Sequence, residues 1–297
     1  MSNPVFRSKA FQAPVQRAKQ EQHAGFQQTP SQQPYGSAGQ AGAPYQGQSG
    51  VQPNLTPEQL ANMYQQPAAT PADTGRMTYG SVINRSSLVF LMIIAGAVFG
   101  WTFANPGNPT GLVIYFVAAL VGLVTGLVNA FKREPSPMLI SIYSVSQGVF
   151  LGGLSAMFDA RWPGVAFQAV LATLSVFAVV LALYRSGKVR ATPKMTRIVL
   201  IAMLSYLVFS LVNFVLMITG VVDGAFGLRS GWLGIAIGVI AVLLASYSLV
   251  MDFTAIEEGV RAGAPERYSW TAAFGLATTM IWMYVEILRI LAIFNQD

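Results

Sequence analysis

Residues 231–257 read GWLGIAIGVIAVLLASYSLVMDFTAIE, and this stretch decides the fold. No charged residue interrupts it between Gly231 and Met251. A helix needs about 20 apolar residues, at 1.5 Å each, to cross the hydrocarbon of a bilayer, and this run supplies them. Working outward, six more apolar blocks of spanning length lie at about residues 87–104, 111–131, 137–158, 164–184, 197–221 and 268–294, separated by short breaks such as Asn105-Pro106-Gly107. The expected fold is therefore all-α, a polytopic membrane protein of seven transmembrane helices over residues 76–297.

Composition agrees. Charged residues make up 10% of the 297, against about 25% in a soluble domain, too few to cover a water-facing surface. There is no cysteine, so disulfide and thiolate chemistry are excluded. The one histidine, His23, lies outside the apolar blocks, which removes imidazole bases and paired-histidine metal sites from the membrane part. The net charge of +6 reads as loop bias rather than as a nucleic-acid surface. No nucleic-acid partner and no cofactor are expected.

Residues 1–75 are rich in Gln, Pro and Gly and hold no lasting periodicity. They are expected to be a disordered tail, with one short helix at most near Thr56, whose side chain could cap it with Gln59 three residues on. No apolar region follows the basic residues near Met1, so no signal peptide is expected.

Loop charges give the orientation. Arg76 and Arg85 precede the first span; Lys132 and Arg133 follow the second. Arg185, Lys188, Arg190, Lys194 and Arg197 follow the fourth, and Arg261 and Arg267 follow the sixth. The alternate loops hold only Arg161 and Arg229. The basic set is expected in the cytoplasm, with the N-terminus inside, the C-terminus outside and the plasma (inner) membrane as the location. The alternation favours seven spans over six or eight. No internal repeat is visible, which counts against an inverted-repeat transporter.

An ionisable group at membrane depth costs several kcal/mol and needs a reason. Asp252 and Glu286 qualify, in the sixth and seventh spans. If they meet, two acids in one dry site cannot both ionise cheaply, so the pair should hold one proton near neutrality and could gate a path or hold a cation. The plainer readings are a solvated helix end for Asp252 and an ion pair with Arg289, three residues on along the same face, for Glu286. Counting from the turn at Gly263-Ala264-Pro265, straight antiparallel helices would leave the two acids about 13 Å apart in depth. A tilted last helix, or one bent near Gly275, would bring them level. Asn129, Lys132 and Arg133 end the second span and could counter-charge the acids. Ser141, Ser144, Ser146 and Gln147 are expected to make interhelical hydrogen bonds, and Gly122–Gly126 and Gly234–Gly238 have the spacing of close helix packing. Enzyme readings fail. Gly152-Gly153-Leu154-Ser155 is a poor serine elbow without a histidine to activate it, and no phosphate loop or HExxH helix is present. No enzyme is expected.

These residues together resemble the Bax inhibitor-1 family, in its bacterial YccA-like branch. The features are Met77-Thr78-Tyr79 before the first span, Ser146-Gln147-Gly148 with Gly152-Gly153 in the third, Met251-Asp252-Phe253-Thr254-Ala255-Ile256 in the sixth, and Met283-Tyr284-Val285-Glu286-Ile287-Leu288-Arg289 in the seventh. The resemblance implies a central last helix surrounded by the other six. It also implies a pH-sensitive calcium leak, gated by two acids between helices six and seven with an arginine from helix two. Asp252 takes the first acid position, Glu286 the second, and Arg133 or Lys132 that of the arginine. Some bacterial members look instead like regulators of a membrane protease. The expected function is accordingly a pH-sensitive cation leak; the alternative is a non-conducting regulator of a membrane protease or stress response.

Overall fold

The computed structural model describes residues 75–104, 109–132, 134–222, 224 and 226–296. The expectations for the tail lie almost wholly outside the described residues, and so does Arg133. Among the described residues seven α-helices follow one another: α1 (Tyr79–Phe103), α2 (Pro109–Phe131), α3 (Pro137–Arg161), α4 (Val165–Arg185), α5 (Pro193–Ile218), α6 (Gly231–Arg261) and α7 (Tyr268–Phe294), with a 3₁₀ turn at Gly227–Arg229 before α6. All seven are long and apolar enough to cross a membrane. The protein is a multi-pass membrane protein.

Several helices outrun their apolar blocks. α1 begins at Tyr79 rather than near residue 87, because Thr78 and Ser81 form a reciprocal capping box: each side chain accepts the other's backbone N–H at 3.0 Å. α5 begins at Pro193, with Thr192 as its cap, rather than at Arg197. α6 continues past Glu257 to Arg261. Hydropathy marks the hydrocarbon, whereas caps mark the helix, and the two differ by a turn or two. Thr78→Ala removes the cap acceptor and is expected to cost about 1 kcal/mol, read as a lower melting temperature in detergent.

α7 is the central helix. It packs against α6, α1, α4 and α3, and Met283, Leu288 and Ala292 on it are fully buried. The backbones of α2 and α5 do not reach it. α2 packs mainly on α3, and α5 on α6 and the 3₁₀ turn. These two outer helices expose large apolar side chains, Phe116, Leu120, Leu204 and Leu211 among them, as a lipid-facing surface does.

The closest approach is between α1 and α3. A Cβ on Gly100 would lie 2.1 Å from the Val149 carbonyl oxygen, and one on Gly152 would lie 2.0 Å from that of Ala97. Gly96 and Gly148 are equally confined. The spacings singled out in the sequence also sit in contacts: Gly122 faces Gln147, Gly126 faces Tyr143, Gly234 faces the Arg229 carbonyl, and Gly238 faces Ile290. The expectation for helix three is corrected. Ser141 and Ser144 bond back to carbonyls of α3 itself. Interhelical bonds come instead from Ser155, whose hydroxyl meets that of Tyr284 at 2.6 Å, and from Tyr143, whose hydroxyl meets that of Thr278 at 3.4 Å.

At one end, the chain entering α1 is clamped to the α6–α7 turn. Met77 donates its N–H to the Ala264 carbonyl at 2.6 Å, and Glu266 donates to Gly75 at 2.9 Å. This end also holds the 134–136, 186–192 and 262–267 connections, and is called the basic end below.

Candidate functional site

Asp252 lies on α6, two and a half turns before that helix ends at Arg261. Its seat is made by α7. Gly275 has no side chain, and a Cβ there would be 3.5 Å from Asp252 Oδ1. One turn further, the Thr279 hydroxyl donates to Asp252 Oδ2 at 2.7 Å. Glycine opens the space and threonine fixes the carboxylate.

The carboxylate lines a cavity of about 230 Å³ near the basic end. α2 contributes Asn129, with Lys132 just beyond its end; α6 adds Ile256, and α7 adds Tyr268 and Phe274. Asn129 is 8% exposed, and its Oδ1 has no hydrogen-bond partner. Lys132 is exposed and forms no ion pair among the described residues. The structure thus brings Asp252 and Lys132 to one cavity.

It does not bring Asp252 and Glu286 together. Glu286 is seven residues beyond Thr279 on one continuous helix, a rise of about 10 Å. The helices keep the offset that straight antiparallel packing requires, so the expected carboxyl pair is two separate sites. Glu286 is 4% exposed. Its Oε2 lies 2.5 Å from Arg289 Nη2, and its Oε1 accepts from the Tyr206 hydroxyl of α5, with Arg229 Nη1 at 3.7 Å. Arg229 also donates to the Tyr206 hydroxyl, at 2.5 Å. The plainer reading of Glu286, an ion pair with Arg289, is the one the geometry matches, enlarged by two residues.

Sequence reasoning missed Tyr206 and Arg229. Tyr206 is embedded in the apolar block of α5 and carries no charge. Arg229 was counted only as loop charge. The available signal was that its loop is otherwise bare of cations. Burial, reinforced by the nearby Arg289 charge, pulls the Arg229 guanidinium below the usual arginine range. Two guanidinium groups and one carboxylate here fasten the 3₁₀ turn and α5 to the central helix.

A third cluster closes the basic end. Glu257 accepts from the Tyr184 hydroxyl at 2.5 Å and from Arg190, and Arg261 Nη2 lies 2.5 Å from its other oxygen. It ties the α4–α5 connection to α6. Beside it, Arg85 stacks over Trp270 at 5.0 Å and lies 3.6 Å from Glu266.

Chemically, the cavity offers a fixed carboxylate, an unpartnered amide oxygen and an exposed ammonium at its rim. That set can bind and release a positively charged group. The Glu286 cluster sets two guanidinium groups on one carboxylate and holds helices in place, with Arg229 Nε and Arg289 Nε left without a hydrogen-bond partner.

The family described as Bax inhibitor 1 like matches residues 3–296 of the chain. Comparison with curated proteins found no match.

Proposed function

The chain belongs to the Bax inhibitor 1 like family, and from that premise we propose that it is a pH-sensitive cation leak, with calcium as the ion and the Asp252 cavity as its cytoplasmic mouth. The basic end faces the cytoplasm in this reading, following the loop charges. The observation that carries it is the seat of Asp252: a carboxylate held by Thr279 at 2.7 Å and exposed to a cavity between α2, α6 and α7. An acid at that depth is costly unless it serves a path.

The single carboxylate, rather than a pair of acids, is the sensor. When it is ionised it draws a cation past Lys132; when it is protonated the attraction is lost and Lys132 is left to repel. Glu286, with Arg229, Arg289 and Tyr206, keeps the opposite half of the helix bundle closed around α7.

Calcium flux into proteoliposomes at about pH 6, 7 and 8 tests this, spanning the range in which a buried carboxyl can titrate. Wild-type flux is expected to vary with pH. Asp252→Asn fixes a neutral side chain of nearly the same shape and is expected to abolish the variation. Glu286→Gln is expected to act through stability rather than through the pH profile. Absent flux at every pH, with a folded protein, would refute the leak and favour a non-conducting regulator of a membrane protease.

A further inference from the structure

The Asp252 cavity is far larger than a bare cation requires. It is partly open to solvent and has a volume of about 230 Å³, whereas a water molecule's share of the liquid is about 30 Å³. Its walls are largely apolar, with Met77, Ala130, Ala255, Ile256, Ala272 and Phe274 among them. Apolar walls with a few convergent polar groups describe a small-molecule site rather than an ion's cage.

Its polar side chains are Asp252, Asn129, Lys132, Tyr268 and Thr271. Two of them are acceptors: Asp252 Oδ1, which no described side chain engages while Thr279 occupies Oδ2, and Asn129 Oδ1, buried and without a partner. A buried acceptor left unpaired is costly and calls for a donor. At the rim is Lys132, past the end of α2, exposed and unpaired among the described residues. The inner acceptors suit a group with several N–H donors, which a primary ammonium supplies. The rim suits an anion.

We propose that this cavity binds a small zwitterion of the phosphoethanolamine type, its primary ammonium on Asp252 and Asn129 and its phosphate on Lys132. The same chemistry occurs in a phospholipid headgroup and in the free molecule. Bound there, it covers the mouth and blocks cation entry. That regulatory consequence rests on the proposed leak; the binding itself does not.

The test is binding to the purified full chain in detergent, by calorimetry and thermal shift, with phosphoethanolamine, phosphocholine and ethanolamine as probes. Phosphoethanolamine is expected to bind and raise the melting temperature. Phosphocholine, whose quaternary nitrogen has no N–H, is expected to bind at least about tenfold more weakly. Lys132→Gln, a surface change, is expected to weaken phosphoethanolamine binding about tenfold while leaving ethanolamine unaffected. Asp252→Asn is expected to remove binding of both. A second arm compares lipid retained by the protein from bilayers with ethanolamine or choline headgroups, read by native mass spectrometry. Retention of the ethanolamine lipid that Asp252→Asn abolishes, without binding of the soluble probe, supports the site and assigns its source to lipid. Equal binding of the phosphocholine probe, binding unchanged by Asp252→Asn, or no binding in either arm overturns the proposal. Binding without calcium flux would remove the leak and keep this site; flux without binding would do the reverse.

Discussion

Gly152→Leu is expected to leave no stable folded protein. A Cβ at this position would lie 2.0 Å from the Ala97 carbonyl oxygen and 2.7 Å from the Trp101 nitrogen. Both are backbone atoms of α1, so no side chain can swing aside. The two helices would have to separate along a seam that also contains Gly96, Gly100 and Gly148. Ordinary overpacking costs about 1–3 kcal/mol; forcing two helix backbones apart is expected to exceed about 4 kcal/mol, in the range where a marginally stable protein is lost. The readout is the monodisperse peak and melting temperature in detergent. Gly80→Ala is the control: its nearest neighbour would be 3.8 Å away, and alanine in a helix is favoured over glycine by about 1 kcal/mol. A Gly152→Leu protein melting like the wild type would contradict the packing.

Glu286→Leu is expected to be the most damaging single change away from that seam. It leaves Arg289, 5% exposed, and Arg229 without their carboxylate. Removing one partner of a buried ion pair costs about 3–5 kcal/mol, because the remaining charge stays buried. The triple variant Glu286→Leu, Arg289→Leu, Arg229→Leu removes all three charges and is expected to regain most of the lost stability, since apolar replacements of buried ionic triads are often neutral. Chemical or thermal unfolding of the single and triple variants checks this. A triple variant no more stable than Glu286→Leu would show that the charges are not what the single change disturbs.

The spans and the helical class were legible in the sequence because the membrane imposes one rule along the whole chain: backbone groups must bond within a helix, and side chains facing lipid must be apolar. Asp252 and Glu286 were legible as well, since an acid in such a run stands out. What could not be read was their company. Residue counting put the two acids at different depths, and the α6–α7 packing keeps that difference, so each found other partners. Thr279 and Gly275 carry no charge and look like ordinary helix residues until α6 is laid beside them. Tyr206 comes from a helix whose backbone never touches α7 and reaches Glu286 only through the length of its ring. The glycine seam of α1 and α3 was half visible: Gly148 and Gly152 were noticed, but the matching Gly96 and Gly100 gain meaning only from the partner helix. Helix ends were missed where Thr78 and Thr192 cap segments reaching beyond the hydrocarbon.

The central claim is that the Asp252 cavity is the entrance of a conducting path, and the chain's lack of cysteine makes it directly testable. Ala255→Cys places a single thiol on the cavity wall, and Lys188→Cys places one on the exposed connection between α4 and α5. Calcium flux through each is measured in proteoliposomes before and after a charged thiol reagent is applied to both sides, with labelling quantified by mass. The account predicts that modification at residue 255 stops the flux and modification at residue 188 does not. Complete modification at residue 255 with flux unchanged would contradict it.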